Sequence, residues 1–94
     1  MSERAVPTVQ IDNERARVTR WHWAPGATSG YHRHECDYVV VPLTSGTLEI
    51  TGPDGKTTQA TLSAGEPYFR NAGVEHDVKN ATSAELVFVE IEIK

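Results

Sequence analysis

One cysteine, Cys36, stands among 94 residues, so no internal disulfide can staple this chain. Its stability must come from packing, and a lone thiol fits a reducing compartment, which makes a cytoplasmic location the expectation. Clustered positive charge is missing as well. The formal net charge is −4 with no basic run or stripe, so the electrostatic footprint of a nucleic-acid binder is absent. The longest apolar run, Leu86-Val-Phe-Val89, is far too short to span a bilayer as a helix. The polar opening Met1-Ser-Glu-Arg4 lacks the basic and apolar regions of a signal peptide, and no membrane partner is expected. No stretch repeats apolar residues at spacings of three and four over a helical window, which argues against helices.

What is there is a series of short β-rich runs punctuated by Gly, Pro, Asp and Asn. Strands are expected near residues 9–11, 17–23, 31–34, 38–43, 47–51, 57–62, 68–70, 76–80 and 86–93. Gly52-Pro-Asp-Gly55 should be a hairpin tip, because Pro53 presets φ and Gly55 accepts positive φ. So many short strands at this spacing favour an all-β sandwich or barrel in one domain, residues 1–94. In the last strand Val87, Val89, Ile91 and Ile93 share one face and Glu90 and Glu92 the other, the alternation of a half-buried antiparallel strand. Leu86 and Phe88 add apolar groups to the Glu face, as in a strand that sits centrally or at a dimer contact. A domain this small buries only roughly 60–65% of its unfolded surface, so pairing into a homodimer is the default expectation.

Histidine is scarce, with four copies, and three are placed suggestively. His32 and His34 lie two apart, so on one strand both imidazoles face the same way. His76 follows the turn Asn71-Ala-Gly73. Three imidazoles converging on one point, with open positions left for substrate, can hold a reactive divalent transition metal.

These residues resemble the cupin family. Gly26 to His34 is similar to its first motif, Gly-x5-His-x-His, and Gly65, Asn71, Gly73, His76 and Asn80 follow its second, with Asn71 in place of proline. The two motifs span about 26–46 and 65–80. The resemblance implies a single-domain double-stranded β-helix, a jelly-roll barrel, with His32, His34 and His76 as metal ligands and Gly26, Gly65 and Gly73 as turn residues. It implies iron(II) first, with zinc, manganese or nickel behind it.

The family's first-motif glutamate has no clean counterpart here: Tyr38 and Val39 occupy the region, and the nearest acids are Glu35 and Asp37. Pro42 and the residues through Ser45 suggest a bulge or insertion there. Three neutral imidazoles leave the cation's charge uncompensated and favour an anionic ligand. By parity Tyr38 shares the face of His32 and His34, while Asp37 turns inward only if the strand kinks. Both are candidates for acid or base.

Other residues have plainer readings. His22 is read as structural and Cys36 as a small hydrophobe. Trp21, Trp23, Tyr31, Tyr68 and Phe69 are pocket wall or ordinary core, and Arg33 and Arg70 are substrate clamps or ordinary surface charge.

Two functions stay open. One is a metal-dependent enzyme acting on a small organic acid or dicarbonyl compound, an oxygenase before an isomerase or lyase. The other is a module that binds or senses a small molecule without chemistry. The whole chain also resembles small bacterial cupins associated with breakdown of β-alanine or related amino acids.

Overall fold

A computed structural model describes residues 3–94; Met1 and Ser2 of the polar N-terminal stretch lie outside the described residues. The chain forms β1 (Val6–Asp12), β2 (Ala16–Trp23), β3 (His32–Arg33), β4 (Asp37–Pro42), β5 (Gly46–Thr51), β6 (Thr57–Leu62), β7 (Tyr68–Arg70), β8 (Glu75–Lys79) and β9 (Leu86–Ile93). All nine expected strands are present, and the described residues contain no helix. One sheet has the order β1-β2-β9-β4-β7 and the other β3-β8-β5-β6, with every strand pair antiparallel. Trp23, Tyr38, Val40, Leu48, Leu62, Val78, Leu86 and Phe88 fill the space between them. These two antiparallel sheets form the all-β double-stranded β-helix that the motif resemblance implies.

Local chemistry sets the turns. Gly52 N–H donates to the Lys56 carbonyl (3.0 Å) and Gly55, at φ 77°, donates to the Gly52 carbonyl (3.0 Å), closing the β5–β6 hairpin as its residues demand. Asn80 has no exposed surface and ties three segments together. Its amide donates to the carbonyls of Trp23 (3.1 Å) and Ala84 (2.8 Å), and its Oδ1 accepts from the Thr82 N–H (3.1 Å) and hydroxyl (2.7 Å).

β4 pairs with β9 in unbroken register from Asp37↔Ile93 to Pro42↔Phe88. The irregularity expected around Pro42 to Ser45 follows directly, the N–H groups of Leu43 and Thr44 both donating to the Val87 carbonyl (2.9 and 3.3 Å). Another falls in edge strand β1, between Val9 and Ile11. On β9 the face that carries Glu90 is the interior one: Leu86, Phe88 and Glu90 are buried, while Val87, Val89 and Ile91 are half-buried and Ile93 is exposed on the outer side. As the apolar groups on both faces suggested, β9 is central, between β2 and β4.

Candidate metal centre

The two-residue strand β3 and strand β8 bring the histidines together. His32 stands directly opposite His76 across the β3–β8 ladder, so both rings project from one face of the sheet. His34, just past β3, is fixed by its N–H donating to the Val74 carbonyl (2.9 Å) and its carbonyl accepting from Gly73 N–H (2.8 Å). Gly73 adopts φ 95° there, a conformation side chains other than glycine rarely take.

The three Nε2 atoms converge. His32 Nε2 lies 3.0 Å from His34 Nε2, which lies 3.1 Å from His76 Nε2, and all three lie within 4.8 Å of one another. Nitrogen ligands about 2.1 Å from one ion, at right angles to each other, are about 3.0 Å apart. Two of the three spacings match that distance and the third pair of ligand atoms lies within 4.8 Å, so the three imidazoles could hold one ion. His32 Nδ1 lies 2.9 Å from the Gly30 carbonyl and 3.2 Å from Ser29 Oγ. A carbonyl only accepts, so Nδ1 carries the hydrogen and the Nε2 lone pair faces the cluster, the arrangement metal-binding histidines favour.

Electrostatics agree with this donor set. Burial, then the neighbouring His32 and His76, lowers the His34 pKa to about 4; burial, then His32, lowers that of His76 to about 4. Both are neutral donors at neutral pH, available to a cation.

Of the two candidate acid–base residues, the structure brings one to the site. Tyr38 is buried on β4 and its ring stacks on His34, with centroids 4.0 Å apart and planes 18° apart. Burial and the nearby Glu90 push its phenol up to about 12, so it keeps its proton. Asp37 is exposed on the opposite face, its Oδ1 accepting from Ala72 N–H (2.7 Å). The strand does not kink, and Asp37 closes a turn rather than entering the cavity.

Beside the histidines a narrow cavity of about 40 Å³, open at its mouth, runs between the sheets. Trp21, Trp23 and Tyr68 line it as the sequence suggested, whereas Tyr31 and Phe69 are exposed. Arg33 stands at the outer rim beside Glu35 (3.4 Å), with Cys36 close by; Arg70 lies over the Tyr68 ring, 4.6 Å from its centroid. His22 is outside the site, bonded to Glu85 (3.0 Å).

The wall also includes Glu90, which the alternation of β9 places on the face opposite Val87, Val89 and Ile91 and which was not among the candidate site residues. Burial, then Glu92, raises its pKa to about 7. Leu86 and Phe88, two and four residues before it, were the signal that its face is interior.

Residues 19–92 match the Cupin_2 family, described as a cupin domain. The chain belongs to the cupin family. It is 61% identical over 90 residues to the β-alanine degradation protein BauB of Pseudomonas aeruginosa, covering 96% of this chain and 94% of that one. A cupin domain protein from Bordetella pertussis superposes with a TM-score of 0.96 at 52% identity, covering 100% of this chain and 97% of that one. A Klebsiella pneumoniae protein with a double-stranded β-helix domain shares the fold, with a TM-score of 0.78 at 22% identity over 96% of this chain and 76% of its own. Among the described residues no helix is long and apolar enough to cross a membrane.

Proposed function

We propose that this cupin is a mononuclear metalloenzyme acting on a small organic acid, with dioxygen as the first co-substrate to test. The observation that carries the reading is the convergence of His32, His34 and His76 Nε2 at 3.0 and 3.1 Å spacings at the end of an aromatic-walled cavity. Iron(II) is the favoured ion, ahead of zinc, manganese and nickel. When bound there it supplies a Lewis acid, and in the case of iron a redox centre, for a substrate oxygen. The similarity to a β-alanine degradation protein supports a substrate from amino-acid breakdown.

The chain's own groups have separate tasks in this reading. Gly30 and Ser29 orient the His32 ring, and Tyr38 holds His34 by stacking. Trp21, Trp23 and Phe88 exclude water from the cavity, which strengthens every charge interaction inside it. Glu90 is positioned to hold or release a proton. The lone Cys36 supports a cytoplasmic site of action, and the apolar outer side of β9 supports a homodimer.

Elemental analysis of protein purified without a tag or chelator, followed by dioxygen uptake with a panel of small acids, tests the proposal. A stoichiometric metal with substrate-dependent oxygen consumption is expected. A stoichiometric metal with no turnover of any acid points to a binding or sensing module, and absence of metal overturns the centre itself.

A further inference from the structure

A carboxyl group buried in an apolar wall is costly unless something partners it. Glu90 is such a group. It is 8% exposed, its cross-strand neighbours Thr19 and Val40 are buried on either side, and it lines the same cavity as the histidines. Glu92, next on the same face, has Arg17 at 3.8 Å. Glu90 makes no ion pair among the described residues.

Donors in the same wall are left over too. Trp21 approaches Glu90 closely enough to favour its ionised form, yet the indole N–H has no partner in hydrogen-bond geometry, and neither has that of Trp23. A buried carboxyl without an ion pair and two indole N–H groups without partners, around one cavity, point to a ligand that brings a positive charge and acceptors with it.

The surroundings favour a cationic donor. Trp21, Trp23 and Tyr68 stand around the cavity with Glu90, and aromatic faces beside a carboxylate attract an ammonium group. A hydroxyl would fill the hydrogen bond but leave the charge unbalanced. The histidine centre in the same cavity calls for an anion.

We propose that Glu90 is the specificity-determining residue of this cavity, binding the ammonium end of a short amino acid whose carboxylate is held at the three-histidine centre. The carboxylate half of this assignment rests on the metal-dependent function proposed above; the ammonium half does not.

Cobalt(II) uptake is measured first, then calorimetric titration of the cobalt-loaded protein at neutral pH with 3-aminopropanoate, 3-hydroxypropanoate and propanoate. The amino acid is expected to bind roughly tenfold or more tightly than either analogue. In Glu90→Gln that advantage should fall below about threefold while cobalt stoichiometry is unchanged. Equal binding of all three acids by the unaltered protein overturns the proposal, as does an advantage that survives in Glu90→Gln. Binding of the hydroxy acid as tight as that of the amino acid overturns the ammonium assignment, and the comparison among acids needs no variant to fold.

If no cobalt is taken up, the metal-dependent function fails and Glu90 is tested alone, with propylamine and 1-propanol on the metal-free protein. A preference for the amine that Glu90→Gln loses sustains the ammonium site. No preference overturns it.

Discussion

At the scale of single residues, the histidines and Glu90 make opposite demands on pH. Removing a ligand by His34→Ala or His76→Ala should weaken metal binding by more than the 10- to 100-fold that loss of an outer hydrogen-bond partner costs. Calorimetric titration with zinc or cobalt reads this directly. Tyr38→Phe keeps the ring stacked on His34 and should leave metal stoichiometry intact. Glu90, raised from 4.5 to about 7, binds its proton more tightly folded than unfolded. Its stabilising contribution is therefore complete below pH 4.5 and is lost as pH rises through 7, by up to about 3 kcal/mol. The groups around it are Glu92 beside it, Arg17 on β2, Tyr38 on β4, Tyr68 and Arg70 on β7, and His32 and His34 across the cavity. His34 and His76, lowered from 6.5 to about 4, act in the other sense: their contribution is present above pH 6.5 and lost as pH falls toward 4. Urea unfolding of metal-free protein between pH 5 and 8 should show Glu90→Gln gaining on the unaltered protein as pH rises. A difference that stays constant across this range contradicts the buried, proton-holding carboxyl.

At the scale of elements, the fully buried Asn80 ties the carbonyls of Trp23 and Ala84 and the Thr82 N–H to one side chain. Asn80→Ala should destabilise by about 2–4 kcal/mol, measured by denaturant midpoint. At Gly46 a Cβ would stand 2.4 Å from Leu86 Cδ2, so Gly46→Ala should cost about 1–3 kcal/mol through overpacking.

The strands themselves were legible because turn residues bound each run, and the register β3–β8 places His32 against His76 as the two motifs require. The orientation of β9 was not. Alternation locates two faces without saying which is inside, and Glu90 and Glu92 look like solvent residues when the interior is assumed to be wholly apolar. A barrel that keeps a cavity breaks that assumption. Parity did sort Tyr38 inward and Asp37 outward, since β4 stays in register. Pro42 packs fully buried at the end of β4, and the irregularity expected around it falls just after it, where Leu43 and Thr44 share the Val87 carbonyl.

At the scale of the whole molecule, one rung crosses the outer side of the five-stranded sheet without a polar residue: Ile11, Val18, Ile91, Val39 and Phe69, each paired with the next. Its ends are open, with Ile11 52% and Phe69 48% exposed. A second copy of the chain covering this rung would add apolar burial that a 94-residue core lacks. Sedimentation should therefore find a dimer, and Ile91→Asp a monomer of lower melting temperature; a monomeric unaltered protein removes the case for pairing. The shortest strand has a different outcome. β3 itself has two rungs, His32↔His76 and Arg33↔Glu75, but its flanks are clipped as well, His34 to Val74 and Gly73 and Ser29 to Val78. A captured ion would leave only when these clips open together, so a chelator should strip the protein slowly, at a rate that climbs as denaturant nears the unfolding midpoint.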